Sequence, residues 1–118
     1  HVSQIFDSSL QIYLLSYWVR EKQAMTLEDA IKQITYNTAT MWGLHDRGLL
    51  REGMAADLVV FDADTIGAKM PEVVHDLPAS ARRLKQTADG ILNTVVNGEI
   101  LLTNNDHSGA VPGRLLRS

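Results

Sequence analysis

Four histidines (His1, His45, His75 and His107) are the first residues to weigh as carriers of chemistry. None stands in a His-x-His or His-Glu-x-x-His spacing, so no local pattern sets two imidazoles on one metal ion. Asp106-His107-Ser108 holds the three residue types of a hydrolytic triad. A triad is assembled by the fold from separate segments, and three adjacent residues cannot converge on one reacting atom. They read instead as a polar turn. Arg82-Arg83, with Lys85 beside them, could hold a carboxylate, although exposed charge in solvent is the simpler reading. Tyr13, Tyr17 and Trp18 could line a cleft, but their helical spacing favours ordinary core. Asp57 precedes an apolar run, and a carboxylate there needs partners, most simply backbone N–H groups of a turn. It reads as a structural anchor. Glycine-rich phosphate loops are missing from the sequence.

Composition narrows the classes further. With 11 basic and 14 acidic residues the chain carries a formal charge of -3, which gives no footprint for nucleic acid or an anionic membrane. Cysteine is absent, which removes disulfides, thiolate ligands and thiol nucleophiles. No apolar run approaches the ~20 residues that span a bilayer. His1-Val2-Ser3-Gln4 offers neither an initiator Met nor a charged leader, so the chain is expected to be cut from something longer. At 118 residues it amounts to one modest domain at most.

The elements that must position these residues divide at about residue 45. Ser8 or Ser9 can cap a helix running to about Lys22, with Leu10, Tyr13, Leu14, Tyr17 and Trp18 on one apolar face and Ile12 and Leu15 widening it. Thr26, with Asp29 three residues on, starts a second helix whose stripe is Leu27, Ala30, Ile31 and Ile34. Asn37 or Thr38 can cap a brief third helix ended by Gly43. Leu58-Val59-Val60-Phe61 is a short unbroken apolar run, suited to a strand buried on both faces. Residues 66–90 show neither periodicity and carry Pro71 and Pro78, so they read as a long loop that is functional or lies against something else. Asn97-Gly98 between Ile91–Val96 and Glu99–Leu102 predicts a hairpin with a type I′ turn.

Thr35-x-Asn37-x-Ala39, Gly43-Leu44, Arg47-Gly48 and the run from Glu52 to Asp62 together resemble the C-terminal signature of the metal-dependent amidohydrolase superfamily. Val95-Val96-Asn97-Gly98 resembles the last hairpin of those enzymes. His75-Asp76-Leu77-Pro78, Arg83-Leu84 and the tail from Gly109 to Arg117 are similar to the D-aminoacylase branch, the N-acyl-D-amino-acid deacylases. The resemblance covers almost the whole chain. It implies an α+β fragment: residues 1–45 as the last helices of a (β/α)8 barrel, and 46–118 as the C-terminal part of a small composite β-sandwich. It also implies a parent hydrolase in which zinc and a metal-activated hydroxide attack the amide of an N-acyl-D-amino acid, with an Asp moving the proton.

By that resemblance the metal ligands and the Asp lie before His1, so no catalytic, cofactor-binding or metal residue is expected within the chain. His1 alone is a candidate on the substrate side. The fragment is expected to bind no zinc, to be inactive by itself, to self-associate through unpaired strand edges, and to come from a cytoplasmic enzyme. Tyr13, Trp18 and Ile34, stripped of barrel cover, are expected to form an apolar patch. Another branch, dihydroorotase-like or a cyclic-amide hydrolase, and a non-catalytic oligomerisation module are the alternatives.

Overall fold

The structure, a computed structural model, describes residues 9–116. His1 and Ser8 lie outside the described residues. Two helices lead into antiparallel strands, an α+β arrangement. The first helix is α-helical over Leu10–Tyr13 and continues over Leu14–Glu21 with wider π-type turns. Leu15 is buried, with Ile12, Leu14 and Val19 packed beside it, while Leu10, Tyr13 and Trp18 stand half-exposed or more. The aromatic set is therefore not core within this chain. Tyr13 stacks on Tyr17 with ring centroids 4.9 Å apart, and Trp18 meets Tyr17 edge-on.

Thr26 opens the second helix as expected. The Asp29 N–H donates to Thr26 Oγ1 at 3.1 Å, and the Thr26 hydroxyl donates to Asp29 Oδ2 at 3.0 Å. The helix then runs through Leu27–Lys32, a π-type stretch Gln33–Asn37, and Thr38–Met41 without a break. The third helix expected from Asn37 or Thr38 is thus the end of the second. Asn37 has helical angles (φ -64, ψ -42), and the Thr38 hydroxyl donates back to the Gln33 carbonyl at 2.9 Å, so neither side chain caps a new start. Gly43, at φ +70, ends the helix.

The main sheet has four antiparallel strands in the order β1 (Leu58–Phe61), β6 (Ile91–Val96), β7 (Glu99–Thr103) and β8 (Asp106–His107). Leu58 pairs with Val95, and Asn97 and Gly98 turn the β6–β7 hairpin at φ +48 and +84, as the Asn-Gly pair requires. Strand β1 lies on the sheet's edge, and its Val59 and Val60 are 54% and 48% exposed. A strand buried on both faces was the wrong expectation for this chain: one edge and much of its side-chain surface have no cover here.

Residues 66–90 also depart from the expected loop. They form a narrow antiparallel arm in which β2 (Gly67–Ala68) pairs with β5 (Ala88–Asp89), and β3 (Glu72–Val74) pairs with β4 (Arg83–Lys85). Pairing two or three residues at a time leaves no periodicity to detect. The core joins helices to sheet: Leu15, Ala30 and Ile66 are its buried centre, and Ile34, Phe61 and Ile91 pack against it. Ile34 therefore belongs to this core and does not join Tyr13 and Trp18 in an exposed patch.

Candidate functional site

Three arginines organise the polar chemistry, and they meet different partners. Arg20, at the end of the first helix, reaches the exit of β1. Its Nη1 donates to the carbonyls of Ile66 at 2.6 Å, Asp64 at 3.2 Å and Ala63 at 3.5 Å. Asp62 shapes that exit: its carboxylate accepts the Asp64 N–H and the Thr65 hydroxyl, each at 2.9 Å. The Asp64 N–H foremost, then the Thr65 hydroxyl, hold the Asp62 carboxyl below the usual range. Gly90 sits over Ile66 at φ +75, where a Cβ would fall 2.6 Å from the Ile66 nitrogen. Helix and sheet are pinned together at this one isoleucine.

Arg47 is the second centre. It pairs with the Asp57 carboxylate through Nη1 and donates from Nη2 to Asn97 Oδ1 at 2.9 Å. Asp57 Oδ1 accepts the Asn97 N–H at 2.8 Å, and Asn97 Nδ2 donates to the Pro112 carbonyl at 2.7 Å. The Gly98 N–H donates to the Ala56 carbonyl at 2.9 Å. One guanidinium thereby ties together the post-helix connector, the start of β1, the β6–β7 turn and the tail. Its Nε has no hydrogen-bond partner among the described residues and lies 3.7 Å from the Asp46 carboxylate, beyond hydrogen-bond reach. Gly48 follows at φ +83, and a Cβ there would come within 2.7 Å of the Ala39 methyl, so glycine suits the position on both counts.

Asp57 is thus the anchor expected of it, held by a turn N–H and also by Arg47, a partner that local sequence does not disclose. Arg83 likewise holds a carboxylate, but one of its own chain: Nε and Nη2 donate to Asp76 at 2.7 and 2.6 Å. The Arg83 hydrogen bonds keep the Asp76 carboxyl below its ordinary range. His45, His75 and His107 are exposed on three separate segments. His107 Nδ1 accepts the Gly109 N–H at 2.9 Å, and Ser108 Oγ donates to the Ile100 carbonyl at 2.7 Å. Asp106-His107-Ser108 is therefore a short strand and turn in which His107 and Ser108 are engaged locally.

Among the described residues, no three of His, Cys, Asp and Glu stand close enough to hold a metal ion. The described residues therefore do not fit a metal centre. An open, mainly apolar groove of about 570 Å³ runs between the second helix and the Gly48–Leu50 connector, lined by Glu28, Ile31, Lys32, Thr35, Tyr36 and Leu49. Its Thr35 hydroxyl is spent on the Ile31 carbonyl at 2.7 Å. What the polar clusters do chemically is hold segments in register.

The same chain has clear relatives. It is 38% identical over 104 residues to N-acyl-D-glutamate deacylase of Alcaligenes xylosoxydans xylosoxydans, covering 88% of this chain and 19% of that protein. It is 34% identical over 103 residues to D-aminoacylase of the same organism, covering 87% of this chain and 19% of the relative. A crystallised D-aminoacylase variant in complex with copper chloride superposes with a TM-score of 0.73 at 29% identity, over 92% of this chain and 21% of that one. A second D-aminoacylase structure, concerned with the role of a binuclear metal centre, gives 0.66 at 28% identity, over 85% and 19%. The chain spans about a fifth of the length of these relatives. A profile of the amidohydrolase family matches residues 5–102, and the chain belongs to that family.

Proposed function

We propose that this chain is the C-terminal part of a metal-dependent amidohydrolase that cleaves the amide bond of N-acyl-D-amino acids. Its described residues supply scaffold, and the reacting groups belong to the remainder of the polypeptide. The observation that carries this reading is the superposition on D-aminoacylase over 92% of the chain. The parent's metal would be zinc, its substrate a small N-acyl amino acid, and His1 a residue on the substrate side. Residues 1–45 would close the barrel and 46–118 would form the later half of the β-sandwich. Nucleic acid and membrane are not expected partners: no described helix is long and apolar enough to cross a bilayer. A cytoplasmic location belongs to the same proposal.

Exposed apolar surface supports the fragment reading. Among the described residues Trp18, Val59, Val60 and Ile100 are each about half-exposed, apolar surface of the kind that another part of a larger body would cover. Isolated from its cover, the segment would self-associate through β1 and the half-exposed aromatics. Sedimentation of the segment as a monomer at high concentration would count against that.

The decisive assay compares full-length enzyme with the 118-residue segment. Full-length enzyme is expected to release D-amino acids from N-acyl-D-glutamate, N-acyl-D-aspartate or neutral analogues, and to lose activity on chelation. The segment is expected to release none and to retain no stoichiometric zinc. Turnover of dihydroorotate or other cyclic amides in place of acyl-D-amino acids would move the protein to another branch.

A further inference from the structure

Asn97 combines two properties that the scaffold role does not explain away. It is followed by glycine, the neighbour that least hinders attack of the next backbone nitrogen on an asparagine amide. Its side chain is also the hub of the Arg47 junction, with Oδ1 and Nδ2 both engaged. From this we propose that Asn97 is a spontaneous deamidation site, shielded by the fold, whose conversion unlatches the tail.

The chemistry needs only solvent water. The Gly98 nitrogen bonds to the Asn97 Cγ, the Cγ–Nδ2 bond breaks, and ammonia leaves with the proton given up by Gly98 N–H. Water then opens the cyclic imide at either carbonyl, giving aspartate or isoaspartate. Three contacts oppose the first step. The Gly98 N–H is committed to the Ala56 carbonyl at 2.9 Å, which opposes its deprotonation. Arg47 and the Pro112 carbonyl fix the amide at 2.9 and 2.7 Å, so it cannot swing onto that nitrogen. Local opening of the junction must come before ring closure.

The product cannot restore what it replaces. A carboxylate at position 97 has no N–H for the Pro112 carbonyl and sets a second negative charge beside Asp57, whose Oδ1 already accepts the Asn97 N–H. Isoaspartate would also add a backbone carbon to a two-residue turn whose φ values, +48 and +84, leave no slack. Either product frees the chain after Pro112.

Two measurements on the intact polypeptide test this. The first ages the protein in mildly alkaline buffer with and without urea, then follows conversion of the Asn97–Gly98 peptide by mass spectrometry. Conversion in the folded sample is expected to be slower by roughly tenfold or more, and equal rates would overturn the shielding. The second compares limited trypsin cleavage after Arg114 in wild type and Asn97→Asp, with cleavage after Arg20, a residue bonded into the core, as the monitor of general unfolding. Faster cleavage at Arg114 with Arg20 unchanged is expected. No change at Arg114, or equal acceleration at both sites, would overturn the latch.

Discussion

Arg47–Asp57 and Arg83–Asp76 are both arginine–aspartate pairs, and the second has the better form: two parallel hydrogen bonds of 2.7 and 2.6 Å. Yet their settings differ more than their geometry. The Arg47 side chain is only 13% exposed and Asp57 34%, against 39% for Arg83 and 49% for Asp76. Arg47 also connects segments 10 and 50 residues apart, while Arg83 reaches only 7 residues back within the arm. Water competes for the outer pair and screens it, so its geometry adds little to stability. The inner pair costs more to break because the Arg47 guanidinium is largely shielded from water and serves two acceptors from distant segments at once. Connectivity and burial decide the matter, and ideal geometry does not.

The largest expected effect follows directly. Arg47→Ala takes the guanidinium from Asp57 Oδ2 and Asn97 Oδ1 at once, leaving Asp57 only the Asn97 N–H, and should lower stability by about 1–3 kcal/mol. Asp57→Ala should cost nearly as much, and the double substitution much less than the sum, because both remove one network. Urea unfolding of the four proteins measures this. Additive losses would mean the two residues act separately and that the comparison with the arm is mistaken.

Gly48→Ala sharpens the same junction from its packing side. An alanine at φ +83 is strained, and its methyl would press on Ala39 and the Thr35 carbonyl, 2.7 and 3.0 Å away. A loss of about 1–3 kcal/mol is expected. Adding Ala39→Gly should recover part of the contact cost while leaving the φ cost in place. A Gly48→Ala protein with an unchanged urea midpoint would show that the connector is free to move off the helix.

These two positions also show what the sequence could disclose. The hairpin was legible because Asn97-Gly98 encodes its turn locally, and the Thr26 cap because its partner is three residues away. Arg47 and Asp57 sit in one short motif, yet their link through Asn97 and on to Pro112 depends on where the hairpin folds back, which no local pattern records. The first helix misled for a different reason: apolar residues stand on two neighbouring faces at helical spacing, and this chain's core takes Ile12, Leu15 and Val19 while Tyr13 and Trp18 face outward. Strand β1 misled because Val59 and Val60 encode burial that this chain does not itself provide.

The smallest effect belongs to the arm and is best read through pH. Arg83→Ala should barely move the unfolding midpoint, since both partners are well exposed. The Asp76 carboxyl, held low first by the Arg83 hydrogen bonds, should return to the ordinary carboxylate range in that variant, and NMR titration of its Cγ would follow the change. The sign is fixed by linkage. A carboxyl whose folded pKa is depressed contributes fully above its unfolded value, and the contribution fades as pH falls through the folded value. Acid should therefore loosen the β3–β4 end of the arm in wild type, while Arg83→Ala should show no added loosening over that window. Amide exchange at Val74 and Lys85 reports the arm itself. If Arg83→Ala proved as destabilising as Arg47→Ala, bidentate geometry would outweigh burial, and the contrast between the two pairs would reverse.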